Sequence, residues 1–69
     1  MYEYEDFDMR LIRLKEVMNI TGLGRSSIYK FMDESRFPKS VSLGDRAVAW
    51  IESEVEDWII EKIAERDRN

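Results

Sequence analysis

"GLGRSSIYKFM", residues 22–32, decides the fold. Gly22 can take the left-handed backbone that a helix exit needs, and Leu23 can plug the corner behind it. A second helix is then expected to start near Arg25 and run to about Glu34. With Ile28 set at zero and roughly 100° per residue, Ile28, Phe31 and Met32 cluster on one side. Ser26, Lys30 and Asp33 face away from them, with Ser27 and Tyr29 on the flanks. Arg25 falls in the first turn, where free amides and the positive helix end favour an anion. A glycine-broken turn thus feeds a helix with an apolar inner side and a polar, basic outer side.

Upstream, "LIRLKEVMNI" (11–20) puts Leu14, Val17 and Met18 on one helical face and Lys15, Glu16 and Asn19 outside it. That pattern predicts a short first helix over about 15–20. Residues 1–9 alternate acids and aromatics without a helical stripe. They read as an acidic flexible arm, which leaves 10–69 as one folded domain.

Downstream, Phe37-Pro38 is expected to end the second helix, since proline lacks an N–H and restrains its predecessor. "SVSLGDRAVAWI" (40–51) then has period two. A Gly44-Asp45 turn would pair Leu43 with Arg46 and Val41 with Val48. Val41, Leu43, Val48 and Trp50 would share one face, with Arg46 at the tip. "SEVE" (53–56) reads as a capping box in which Ser53 and Glu56 satisfy each other's amides. A third helix follows, with Val55, Trp58, Ile59 and Ile63 as its buried stripe. Trp50 and Trp58 each fall on an apolar stripe, which favours core packing over the base stacking of single-strand binders.

Composition narrows the chemistry. The 69 residues contain no cysteine and no histidine, which removes disulfides, the common zinc sites and Cys- or His-based catalysis. No phosphate-cradling loop is visible, and a chain this short has little room for a substrate pocket. The expectation is a non-enzyme with no cofactor, no metal and no small-molecule substrate. No apolar run approaches the roughly 18 residues of a membrane span, and the acidic start is unlike a secretory leader. The formal net charge is −4, but its distribution matters more. Residues 10–51 hold eight Lys/Arg against four acids, whereas 1–9 hold four acids alone and 52–69 hold seven acids against three bases.

The element order, helix-turn-helix-hairpin-helix, defines an α+β, mostly helical fold: a winged helix-turn-helix with a two-stranded hairpin. In that arrangement the second helix enters the major groove and the hairpin meets the backbone or minor groove. Arg25 and Lys30 would supply charge, and Ser26, Ser27 and Tyr29 short hydrogen-bonding groups. Arg46 would sit at the wing tip, and Lys15 and Lys39 would hold flanking phosphates. Each has a purely structural reading as well. The serines can satisfy first-turn amides, Arg25 and Lys30 can be solvated charges, and Tyr29 can pack on the hairpin.

Residues 10–59 resemble the AlpA family of prophage transcriptional regulators, close to phage excisionases and the MerR-type winged fold. The resemblance rests on "LKEVMNITGL", "SSIYKFM", "RFPKSVSLG" and "AVAWIESEVEDW" in that order and spacing. It implies a small bacterial, cytoplasmic and nucleoid-associated protein that binds double-stranded DNA and regulates prophage genes. The acidic third helix would face away from DNA and offer its outer side to integrase, RNA polymerase or a neighbouring protomer. The resemblance also implies an alternative role, an excision factor that bends attachment-site DNA. The acidic balance and the acids of 52–69 support a reading of another class, a protein-interaction module such as an antirepressor. Two positions depart from the family pattern. Gly24 stands where relatives have a capping serine, and Ser35 where they have glycine after the second helix.

Overall fold

A computed structural model describes residues 9–68 of the chain. The 1–8 part of the acidic arm lies outside the described residues. The elements are β1 (Leu11–Ile12), α1 (Leu14–Thr21), α2 (Arg25–Asp33), β2 (Val41–Gly44), β3 (Ala47–Ile51) and α3 (Glu52–Arg68). This is the expected winged helix-turn-helix, with one strand added. Among the described residues no helix is long and apolar enough to cross a membrane.

The helix-turn-helix corner is laced by local hydrogen bonds. Gly22 closes α1 in the left-handed region at φ 75°, and its N–H donates to the Met18 carbonyl at 2.8 Å. The Thr21 hydroxyl donates to the Val17 carbonyl at 2.7 Å and accepts from the Leu23 N–H at 3.2 Å. Leu23 is half-buried against the core, as the corner plug should be.

Helix α2 starts and stops without help from its own side chains. Gly24 occupies the N-cap at φ −81°, ψ 167°, with no side-chain cap bond. At the other end Ser35 takes φ 59°, a left-handed conformation usually given to glycine. The Arg36 N–H donates to the Phe31 carbonyl at 2.7 Å and the Ser35 N–H to Met32 at 3.0 Å. These two bonds form a Schellman motif. The Arg36 guanidinium lies 4.9 Å from the Phe31 ring centroid, so the side-chain contact across the motif is a cation–π pair. The backbone therefore ends the helix at Asp33, before Phe37-Pro38 is reached.

The sheet differs most from expectation. Its order is β1-β3-β2, all antiparallel. Strand β1 pairs Leu11 with Ile51 and Ile12 with Trp50, and the Glu52 N–H extends the ladder to the Arg10 carbonyl at 2.8 Å. The hairpin register is shifted from the one expected. Val41 opposes Ala49, Ser42 opposes Val48 and Gly44 opposes Ala47, with an irregularity between Ser42 and Gly44. The turn is Asp45-Arg46, not Gly44-Asp45. Both residues have positive φ, 41° and 70°, as mirror-image hairpin turns require. Gly44, at φ 98°, absorbs the extra residue of the bulge. Val41 consequently lies on the sheet face opposite Val48 and Trp50, and Leu43 is 48% exposed.

Helix α3 follows β3 with no linker. It begins at Glu52, so Ser53 lies inside the first turn instead of capping it. Among the described residues neither Ser53 nor Glu56 makes the bonds of the expected capping box. An ion pair between Arg10 and Glu52 at 3.2 Å braces the strand-to-helix junction.

The core takes one buried side chain from nearly every element. Ile12, Val17, Ile28, Trp50 and Val55 come from β1, α1, α2, β3 and α3, and Phe37 comes from the connection. Trp50 is fully buried and its indole N–H donates to the Pro38 carbonyl at 3.2 Å. Trp58, partly buried, donates to the Arg36 carbonyl at 2.7 Å and meets Phe37 edge-on at 4.9 Å. Both tryptophans are core residues, as expected. The α3 stripe is shorter than expected: Val55, Trp58 and Ile59 pack inward, but Ile63 is 43% exposed. The helix has outrun the small body it covers.

Candidate nucleic-acid interface

The nominated residues sit on three features of this frame. Arg25, Ser26, Ser27, Tyr29 and Lys30 belong to α2, Arg46 to the hairpin turn, and Lys15 and Lys39 to α1 and the 34–40 connection. Ile28 is buried and Phe31 and Met32 pack on the core, which turns the rest of α2 outward. Arg25, Ser26, Tyr29 and Lys30 are exposed and Ser27 is half-buried.

Two of these residues are in direct contact. The Arg25 guanidinium carbon lies 5.5 Å from the centre of the Tyr29 ring. Tyr29 in turn meets Trp50 edge-on, with centroids 6.2 Å apart and planes at 69°. Tyr29 also shares an open cleft with Lys39, bounded by Met32, Asp33 and Ser40. Among the described residues, Lys15, Lys30 and Arg46 touch no other nominated side chain through a hydrogen bond, ion pair or ring contact.

Among the described residues four of the cations are paired with carboxylates, whereas the nominated ones, with Arg13 and Arg68 at the end of α3, are not. Arg10, Arg36, Lys62 and Arg66 are each within ion-pair distance of a carboxylate. Among the described residues, Lys15, Arg25, Lys30, Lys39 and Arg46 have no such partner. Arg13 shares that property and is exposed at the cap of α1. Sequence reasoning did not nominate it. Its signal was present in the basic stretch 10–51, but with β1 unrecognised nothing fixed its direction. The arrangement presents uncompensated charge with small hydroxyl donors, which suits a polyanion.

A second, larger open groove lies between residues 35–41 and α3. Its rim mixes Arg36, Lys39 and Lys62 with Glu54, Asp57 and Glu61, so it has no single sign of charge.

Comparison with known proteins gives a consistent picture. A family model described as prophage CP4-57 regulatory protein (AlpA) matches residues 10–63. The uncharacterized protein ORF88 of Enterobacteria phage P4 is 48% identical over 59 residues, covering 86% of this chain and 67% of that protein. The DNA-binding transcriptional activator AlpA of Escherichia coli (strain K12) is 33% identical over 60 residues, covering 78% of this chain and 86% of that protein.

Proposed function

The chain belongs to the AlpA family of prophage regulatory proteins, and on that premise we propose that it regulates transcription by binding double-stranded DNA sequence-specifically. Helix α2 enters the major groove, with Arg25, Ser26, Ser27 and Lys30 toward the base edges and the Tyr29 ring set between Arg25 and Trp50. The Asp45-Arg46 turn lies on the adjacent backbone or minor groove, and Lys15 and Lys39 hold phosphates. The observation that carries this reading is the uncompensated charge: the bases of α1, α2 and the wing lack carboxylate partners among the described residues. A relative named as a transcriptional activator favours gene regulation over an excision role.

The two kinds of contact separate experimentally. If Arg25 reads a guanine edge, Arg25→Ala costs about 1–3 kcal/mol at one base position and relaxes specificity there. Lys15→Ala weakens binding to all sequences alike and lowers the salt slope by about one. Mobility-shift titrations of both variants at several salt concentrations decide the matter. Equal, sequence-blind losses from both would overturn the assignment of Arg25.

A further inference from the structure

We infer that Tyr29 acts through its ring, as a platform that aims Arg25, and not through its hydroxyl as a contact to DNA. The inference rests on the reading of α2 as the recognition helix.

An arginine side chain has four rotatable bonds, and an exposed one at a helix start samples many directions. To read one base edge it must spend rotamer entropy, which weakens the net gain. Here the direction is already restricted. The guanidinium lies 5.5 Å from the Tyr29 ring centre, and no carboxylate competes for it among the described residues. The ring itself is held. It stands edge-on to Trp50, which is fully buried and bonded to the Pro38 carbonyl at 3.2 Å. A line of contacts therefore runs from the core through Tyr29 to the cation. The Tyr29 hydroxyl makes no hydrogen bond among the described residues, so the ring alone accounts for these contacts. A guanidinium held against an aromatic face keeps N–H groups for a bidentate acceptor pair, the pattern guanine offers through O6 and N7.

The test compares Tyr29→Phe, Tyr29→Leu, Arg25→Ala and the double variant Arg25→Ala/Tyr29→Leu. A duplex is first selected from a randomised pool by the wild-type protein. Discrimination at each base pair is then measured by titration with single-base-pair variants of that duplex, and thermal melting confirms that each protein variant is folded. Tyr29→Phe retains wild-type discrimination. Tyr29→Leu lowers it about 2- to 5-fold at the Arg25-dependent pair, the range an exposed cation–π contact supports. In the Arg25→Ala background the leucine substitution changes discrimination at that pair no further. NMR without DNA gives a second readout: the ring-current shift of the Arg25 δ-protons persists in Tyr29→Phe and disappears in Tyr29→Leu.

Loss of discrimination in Tyr29→Phe equal to that in Tyr29→Leu would assign the hydroxyl to DNA and overturn the platform. Additive effects of Arg25→Ala and Tyr29→Leu would overturn it as well, with the functional reading intact. A wild-type protein that selects no duplex would overturn the functional reading and, with it, the platform.

Discussion

Single residues at the ends of α2 show where this chain tolerates strain. Ser35 holds φ 59° in a Schellman motif that glycine fills more cheaply. An L-residue in that region costs about 1–2 kcal/mol, against about 0.5–1 kcal/mol for the extra freedom glycine has when unfolded. Ser35→Gly should therefore stabilise the domain by about 0.5 kcal/mol. Urea titration would show a higher midpoint at unchanged slope. A lower midpoint would mean that the serine side chain contributes something the backbone geometry does not reveal. Gly24 leaves the first amides of α2 without a side-chain acceptor, so the helix start stays open toward solvent.

At the scale of elements, the 34–40 connection is fixed from both sides. Trp50 reaches its Pro38 carbonyl and Trp58 reaches its Arg36 carbonyl at 2.7 Å. Trp58→Phe keeps an aromatic ring beside Phe37 but removes the second tether and shrinks the ring packed on the core. It also alters the contact with the Lys62 ammonium, which lies 5.4 Å from the ring centre. The expected loss is about 1–3 kcal/mol of stability, from the hydrogen bond together with the lost ring volume. An unaltered unfolding midpoint would show that the tether contributes nothing in solution. Elements with a long period were legible from the sequence. Helix α1 follows from Leu14, Val17 and Met18, α2 from Ile28, Phe31 and Met32, and the exit at Gly22 from glycine's backbone freedom. The two residues of β1 are too few to show a period, and only their partners Ile51 and Trp50 reveal them. The hairpin was legible but its register was not. A bulge at Gly44 inserts an extra residue that alternation cannot detect, which shifts the turn to Asp45-Arg46. The outward side of α2 was readable by default once its inner face was known, yet the Arg25–Tyr29–Trp50 line joins residues 25 positions apart and needs the fold.

The whole molecule is held by a core in which each element contributes about one large side chain. A body this small has total stability of only about 3–10 kcal/mol. Trp50 is its largest fully buried side chain, and Trp50→Ala would cost about 3–5 kcal/mol. That is comparable to the whole, so far-UV circular dichroism at 37 °C should show a largely unfolded population; a native spectrum with a sharp melt would refute it. The same economy gives the shortest strand a kinetic role. Leu11 meets Ile51 across 40 positions of chain, whereas the helix-turn-helix and the hairpin close over short distances. Closing the longer loop costs more chain entropy, so β1 is expected to dock after the hairpin and α3 have formed. Ile12→Val should then lower stability by about 0.5–1.5 kcal/mol almost wholly through faster unfolding. In stopped-flow chevrons the unfolding limb would rise while the refolding limb stayed in place, and a slowed refolding limb would put strand docking in the rate-limiting step instead. On that expectation Leu11 and Ile12 form a latch, and their hold on Ile51 and Trp50 would set how long one folded molecule persists.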